Sequence, residues 1–265
     1  TIPLYVNIEN ISFIHAFFEA TSGITTTCAT ILSGLDRLPI SVNFWRCFLA
    51  WMGGIGILVT AVAVLPLLGV GGAQIFRAES TGPLKEGRLT PRIADTAKAF
   101  YNIYFAISVV CAVCYHFAGM DWDDAIMHTF TTVSLGGYSS HDASFAYWSS
   151  RTVDWVCVIF LIIGGINFSM HFTAWRKLSF RTYLKDAETC GWILTIVLLS
   201  AFISFLLVYD KTYATVSDAI YYGVTNTVFV ISTGGFANTN YGEWSLVAQL
   251  LILLASCFAT CAGST

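Results

Sequence analysis

Residues 231–244 read ISTGGFANTNYGEW and contain the end, at Gly242, of a run free of Asp, Glu, Lys and Arg that begins at Ala219. Such a run is long enough to cross a bilayer as one helix, which takes roughly 20 apolar residues. Yet Gly234 and Gly235 interrupt it, and Asn238 and Asn240 stand where a spanning helix would carry Leu or Val. If 219–242 simply spanned, the run from Trp244 would have to span back after a turn of about one or two residues, and the glycine pair would break a helix at mid-bilayer. Irregular backbone at that depth persists only where protein buries it or where it lines a water-filled cavity. The stretch therefore reads as a segment that enters the membrane and returns to the same side.

The surroundings support a membrane setting. Of 265 residues, 56% are hydrophobic and 11% are charged, against about 25% charged in a soluble domain. Uncharged runs extend from Cys47 to Phe76, Ala99 to Met120, Trp155 to Trp175, Cys190 to Tyr209 and Trp244 to Thr265, which predicts five crossings. No charged segment precedes a short apolar stretch at the start, so no signal peptide is expected, and, with an opening that lacks Met, a fragment is expected. Six of the eight cysteines lie inside apolar runs, where Cys behaves as a small hydrophobe. The CAVC spacing at Cys111 and Cys114 has no partner pair, so neither a metal site nor a disulfide is expected.

Basic residues set the orientation. Arg77, Lys85, Arg88, Arg92 and Lys98 share one connection, and Arg176, Lys177, Arg181 and Lys185 share another that alternating crossings put on the same side. That side is cytoplasmic by the positive-inside rule. Counted with their acidic neighbours, the inner segments carry a net +4, and the outer ones, from Glu9 and Glu19 to Asp218 and Glu243, a net −7. An acidic outer vestibule concentrates cations, although for any single carboxylate a solvated loop position is the simpler account.

The glycine break recurs. EATSGITTTCAT (19–30), FTTVSLGGYSS (130–140) and FVISTGGFANT (229–239) align on Cys28, Gly136 and Gly234. A second landmark follows each: Gly53-Gly54 lies 25 residues after Cys28, Gly164-Gly165 lies 28 after Gly136, and Gly263 lies 29 after Gly234. Three copies of one unit are therefore expected, each reading crossing, short re-entrant helix, extended loop, crossing. The re-entrant helices are predicted at roughly 10–22, 122–134 and 217–232, the third about one turn longer than the second, with Asp124 and Asp218 in the first turns, where a carboxylate complements the helix dipole. In such a loop a glycine frees the backbone so that consecutive carbonyls can face one axis. Rings of carbonyls replace the hydration shell of an alkali cation, and the helix behind each loop adds its partly negative C-terminal end.

Beyond these loops, the segments FFEATSGITTTCATILSGLDRLP, WMGGIGILVTAVAVLPLLGVGGAQIFRAESTGP, LTPRIADTAK, TFTTVSLGGYSSHDAS, IIGGINFSMHF and the final ISTGGFANTNYGEW to CAGST resemble the membrane subunit of the Trk/Ktr/HKT superfamily, of the bacterial TrkH and TrkG type, over essentially the whole chain. The resemblance implies an all-α, potassium-channel-like membrane protein of the bacterial inner membrane, taking up potassium through four pseudo-symmetric helix, pore loop, helix repeats. It implies a homodimer in the lipid bilayer, no bound cofactor with potassium as substrate, no nucleic acid, and a cytosolic nucleotide-binding regulator of the TrkA type docking on the basic loops 77–98 and 176–185. Carried onto this sequence, the carbonyls that hold potassium are those of Thr26 and Thr27, Ser134 and Leu135, and Ser232 and Thr233, with filter-glycine positions at Cys28, Gly136 and Gly234. The gating loop falls on Ala262, Gly263, Ser264 and Thr265. Repeat one then covers 1–76, a cytoplasmic loop 77–98, repeat two 99–175, a second loop 176–186 and repeat three 187–265, without the first helix of repeat one and without the fourth repeat. Two residues depart from the family pattern: Cys28 where glycine is usual and Leu135 where threonine is.

Other readings remain. A cation-coupled secondary transporter would hold its substrate on broken helices but in inverted repeats, whereas these three run in the same direction. The chain alone could equally be a non-conducting fragment. An enzyme needs a nucleophile facing a base, and no such pair stands out, so enzymatic activity is not expected. His128, on a re-entrant helix, reads as a packing or hydrogen-bonding group rather than a proton relay. Asp142, after the second loop, reads as a lining of the outer mouth or as an exposed loop carboxylate.

Overall fold

The structure, a computed structural model, describes residues 1–64, 89–257, 260–261 and 264–265. The described residues are helical with no strands, in chain order α1 (Ile2–Asn7), α2 (Phe13–Ile24), α3 (Ile40–Val64), α4 (Leu89–Ala118), α5 (Trp122–Val133), α6 (Arg151–Gly164), α7 (Phe168–Lys177), α8 (Arg181–Lys185), α9 (Ala187–Tyr209), α10 (Val216–Ile231) and α11 (Leu246–Ala255). The short helices α2, α5 and α10 each end in an extended loop, and each loop leads into a 3₁₀ turn, at Leu35–Arg37, Ser144–Tyr147 and Tyr241–Glu243. This triple recurrence is the unit expected from the sequence. The third re-entrant helix, with 16 residues, exceeds the second, with 12, by about one turn.

Local chemistry starts these helices where the sequence signals do. Ser12 accepts a hydrogen bond from the His15 amide, Thr215 from the Asp218 amide and Asp186 from the Thr189 amide, satisfying donors that a helix N-terminus leaves unpaired. Packing then nests each re-entrant helix beside long ones: α5 lies against α3, α4 and α6, and α10 against α9, α6 and α11. The C-terminal half of helix α5 is enclosed, with Met127 to Thr129 and Thr131 to Val133 buried. The main apolar core runs through this region, from Tyr104 and Tyr115 on α4 to Val228 and Phe229 on α10, with Phe145 and Phe236 from the loops.

Five uninterrupted crossings are not what the fold contains. Among the described residues, two helices, Ala97–Ala118 and Ala187–Tyr209, are long and apolar enough to cross a membrane by length and composition. The run from Trp155 to Trp175 is not one straight crossing but a pair of helices, α6 and α7, bent by 90° between them. The break has identifiable causes. Gly165 ends α6 with its Cα facing the Trp192 indole, where a Cβ would lie 2.9 Å from the ring. Asn167 then caps α7 by accepting from the Ser169 amide at 2.8 Å. The Ile163 carbonyl at the break accepts both from the Ile166 amide at 3.2 Å and from His171 Nε2 at 3.0 Å, while Nδ1 accepts from the Tyr183 hydroxyl at 2.9 Å. A backbone group released from a helix at membrane depth needs a substitute of this kind. Likewise, among the described residues of the run from Trp244, the helix ends at Ala255. The run beginning at Cys47 lies on α3, which already starts at Ile40, and its continuation past Val64 is outside the described residues.

Candidate functional site

The three loops share one backbone conformation. Helices α2, α5 and α10 are capped at Thr25, Ser134 and Ser232. In each case the cap amide bonds four residues back, to Thr21, Phe130 and Val228, and the next amide three back, from Thr26 to Gly23, Leu135 to Thr132 and Thr233 to Val230. Those next residues are all left-handed, with φ of +55° at Thr26, +54° at Leu135 and +60° at Thr233. Two residues on, the chain is left-handed again: Cys28 at +49°, Gly137 at +96° and Gly235 at +61°. Non-glycine residues adopt this region rarely, so six such angles in register define the repeat more sharply than residue identity does.

That register corrects the sequence alignment by one residue. Cys28 does not correspond to Gly136 and Gly234 but to Gly137 and Gly235, the second glycine of each pair, and Thr27 occupies the place of Gly136 and Gly234. Sequence matching anchored on the first glycine because identity carries no information about φ. The glycine that the backbone requires is the second.

The loops abut one another. A Cβ built on Gly137 would lie 2.1 Å from the Gly234 carbonyl oxygen, and one on Gly136 would lie 2.8 Å from Cys28 Sγ. Loop one thus touches loop two, and loop two touches loop three. Loop two is closed in, with Ser134 and Leu135 buried, whereas Thr25 and Thr27 in loop one and Thr233 and Gly235 in loop three are exposed. The glycine landmarks seat the helices behind them: a Cβ at Gly53 would meet the Ile24 carbonyl at 2.2 Å, and one at Gly164 would meet Leu135 Cδ2 at 3.1 Å and the Val133 carbonyl at 3.4 Å. Ile24 and Val133 are the last residues of α2 and α5, so the pairs Gly53 with Ile24 and Gly164 with Val133 are equivalent contacts.

Of the expected gating residues, Ala262 and Gly263 lie outside the described residues. Ser264 and Thr265 are described. Thr265 Oγ1 donates to the Val133 carbonyl at 2.9 Å, and the Thr260 and Ser264 hydroxyls lie 2.5 Å apart. The end of the chain therefore lies against the C-terminal end of α5, beneath the second loop.

Charged residues that sequence reasoning assigned to solvated outer loops turn inward. Glu19 and Arg46 form an ion pair at 2.8 Å with both side chains fully buried. Arg46 also donates to Thr30 Oγ1 at 3.1 Å and to the Ser139 carbonyl at 3.4 Å, and its guanidinium stacks on Tyr138 at 4.3 Å. One side chain on α3 so holds the segments that leave loops one and two. Asn43, a turn earlier, donates to the Ser140 carbonyl at 3.3 Å. Asp154 on α6 accepts from Asn238 Nδ2 at 2.6 Å and from the Tyr221 hydroxyl. Ser140 and Asn238 occupy the same place after their loops, so Asn43 and Asp154 are matching braces, each running from one repeat to the next. The sequence held a signal for two of the three: Arg46 and Asp154 each precede an apolar run by a single residue, and ionisable side chains at that depth are expensive unless paired and functional.

Beyond the second loop, His141 Nε2 faces Asp124 Oδ2 at 3.1 Å, its Nδ1 bonds to Asp36, and its ring stacks on Tyr147 at 3.5 Å. Burial lowers the imidazole pKa, but the hydrogen bonds to Asp124 and Asp36 outweigh it and leave it above the ordinary value, while the bond from His141 lowers the Asp36 carboxyl. Asp142 is exposed, yet both its oxygens are engaged, accepting from the Gly34 amide at 3.0 Å and the Leu35 amide at 2.9 Å. It pins the 3₁₀ turn of repeat one to repeat two. Arg151 and Asp218 bridge repeats two and three in the same region.

Comparison with known proteins places this geometry. The TrkH family model, described as a cation transport protein, matches residues 1–265. The chain is 44% identical over 264 residues to the Trk system potassium uptake protein TrkH of Vibrio parahaemolyticus, covering 99% of this chain and 54% of that protein. It is 35% identical to the Trk system potassium uptake protein TrkG of Escherichia coli, covering 99% of this chain and 54% of that one. The crystal structure of the potassium transporter TrkH from Vibrio parahaemolyticus superposes with a TM-score of 0.86 at 41% identity, covering 96% of this chain and 52% of that structure. The chain spans about half the length of the relatives it matches.

Proposed function

We propose, for a chain that belongs to the TrkH family of cation transport proteins, that its three loops form three corners of a potassium-selective filter serving uptake across the bacterial inner membrane. The observation that carries the proposal is the threefold recurrence of one left-handed loop conformation at the ends of three re-entrant helices, the loops packed edge to edge. Backbone held in this way presents carbonyl oxygens without a side chain having to supply charge, which suits a weakly hydrated monovalent cation. Candidate contributors are the carbonyls of Thr26 and Thr27, Ser134 and Leu135, and Ser232 and Thr233; the one-residue shift adds Thr25 as the counterpart of Ser134 and Ser232.

Half of the ring is walled and half is open. Loop one exposes Thr25 and Thr27, and loop three exposes Thr233, at positions where loop two is buried, which suits a further helix–loop unit, from the half of the relatives' length that this chain does not span, seated between repeats three and one. On this reading Ser264 and Thr265 belong to a gating segment beneath the filter. A homodimer and a cytosolic regulator of the TrkA type, meeting the basic segment around α8, complete the proposed assembly. The secondary-transporter alternative loses ground because all three described units run in the same direction.

Rubidium uptake by cells lacking their own potassium uptake, expressing the complete transporter that carries this segment, tests the proposal. Uptake competed by potassium well below the concentration at which sodium competes is the expected result. Equal competition by sodium and potassium would refute a potassium filter.

A further inference from the structure

Glu19, His128 and Asn226 were not linked by the sequence, being a carboxylate, an imidazole and an amide. Counted back from the helix caps Thr25, Ser134 and Ser232, however, each stands six residues earlier. All three are fully buried, and all three reach the segment that leaves their own loop. Glu19 Oε1 accepts from Thr30 Oγ1 at 2.8 Å and Oε2 from the Ile31 amide at 3.3 Å. His128 Nε2 meets Ser139 Oγ at 2.9 Å. Asn226 Nδ2 donates to Asn238 Oδ1 at 2.6 Å. In the corrected register Thr30 and Ser139 are equivalent positions, as are Ile31 and Asn238.

The bonding directions follow from the partners. His128 Nδ1 faces the Asp124 carbonyl at 2.9 Å, and a carbonyl only accepts, so Nδ1 carries the proton and Nε2 accepts from the Ser139 hydroxyl. Asn226 does the same with its own helix, donating to the Tyr222 carbonyl four residues back at 2.9 Å. Asn238 is oriented from the other side, because its Nδ2 donates to the Asp154 carboxylate and so turns Oδ1 toward Asn226. Each device thus fixes the loop's exit to the helix that makes its entrance, with no side chain entering the space between the loops.

We propose that Glu19, His128 and Asn226 are positioning residues, one per repeat in one helical register, which hold the carbonyls of each loop at the spacing that discriminates potassium from sodium. This rests on the reading of the loops as a filter. A group buried in this way would otherwise leave its partner hydroxyl or amide unpaired, and the loop would relax to satisfy it. Because the three anchors differ chemically, the corners are not interchangeable: the first is a charged anchor tied on to Arg46, and the other two are neutral.

The second corner gives the cleanest experiment, since its bond joins two neutral side chains. In the complete transporter, His128→Leu, Ser139→Ala, the double variant, His128→Gln and, as a buried control far from the loops, Ile203→Val are compared by sodium competition against rubidium uptake, normalised to protein in the membrane. The expected result is that His128→Leu and Ser139→Ala each lower the preference for rubidium about fivefold, the ratio corresponding to the net loss of one buried hydrogen bond. The double variant should lose clearly less than the sum of the two single ones, because both remove the shared His128–Ser139 bond, although Ser139→Ala also takes the acceptor of the His141 amide and His128→Leu the donor to the Asp124 carbonyl. His128→Gln, which keeps a polar reach to Ser139, should retain most of the preference, and Ile203→Val should alter the amount of protein only. Should His128→Leu fail to reach the membrane, Ser139→Ala decides alone. Unchanged preference in Ser139→Ala, or losses that add in the double variant, would overturn the positioning role. A parent transporter with no preference for rubidium over sodium would instead overturn the filter reading.

Discussion

Cys28 holds a left-handed backbone at φ +49° where the equivalent residues, Gly137 and Gly235, are glycines. That conformation costs an L-residue about 1–2 kcal/mol. Cys28→Gly should therefore stabilise the complete protein by about 1 kcal/mol, less whatever packing the thiol provides against Gly136, and thermal unfolding in detergent would show an upward shift; a downward shift would mean the thiol contact outweighs the strain. The opposite change is severe. Gly137→Ala places a Cβ both at φ +96° and 2.1 Å from the Gly234 carbonyl oxygen, so a loss of about 3 kcal/mol or more is expected, read as loss of folded protein. His141 supplies a pH dependence. Its pKa is raised in the folded state by Asp124 and Asp36, so the bridge contributes fully below about pH 6.5 and is lost as pH rises through the higher folded value. The melting difference between wild type and His141→Gln should accordingly shrink from pH 6 toward pH 9; a constant difference would show that charge on His141 is not what matters. At this scale the sequence disclosed the loops but not their register, because residue identity aligned Cys28 with Gly136 while φ aligns it with Gly137.

Helices carried clearer signals than single residues. The three re-entrant helices lie within three residues of their expected bounds, since each has a polar start, an apolar stretch and a glycine or hydroxyl-rich end. The bent pair α6 and α7 did not announce itself, because apolar composition from Trp155 to Trp175 satisfies a straight crossing as well as a broken one. What breaks it is tertiary: the Trp192 indole against Gly165, and His171 donating to the Ile163 carbonyl at the turn. His171→Phe keeps an aromatic ring but removes that donor and the acceptor of the Tyr183 hydroxyl, while the Ile166 amide still pairs the carbonyl, so a loss of about 0.5–1.5 kcal/mol is expected. Denaturation of the variant should show a loss of that size, and none at all would place the origin of the bend elsewhere. Buried charge was also misassigned at this level. Glu19, Arg46 and Asp154 lie at helix positions adjoining apolar runs, and only the packing of neighbouring repeats shows that they face protein rather than water.

Across the whole molecule, repeats are joined at one end by polar bridges: His141 to Asp36, Asp142 to the Leu35 turn, and Arg151 to Asp218. The re-entrant reading expects Asp121 and Asp210 to share one face of the membrane and Arg181 to lie on the other. Labelling of single cysteines introduced at the three positions should give that division, and opposite faces for Asp121 and Asp210 would defeat the re-entrant topology. The threefold unit was legible in the sequence because its loop motif and glycine landmarks recur at nearly constant spacing, whereas the contacts between units, made by residues as far apart as Asn43 and Ser140, leave no periodic trace. The central claim is that the three loops converge on a cation path, and rubidium anomalous diffraction from crystals of the complete transporter tests it most directly. Anomalous density is predicted on the axis bounded by residues 25–28, 134–137 and 232–235. Rubidium bound elsewhere in the protein, with that axis empty in crystals saturated with the ion, would contradict the account.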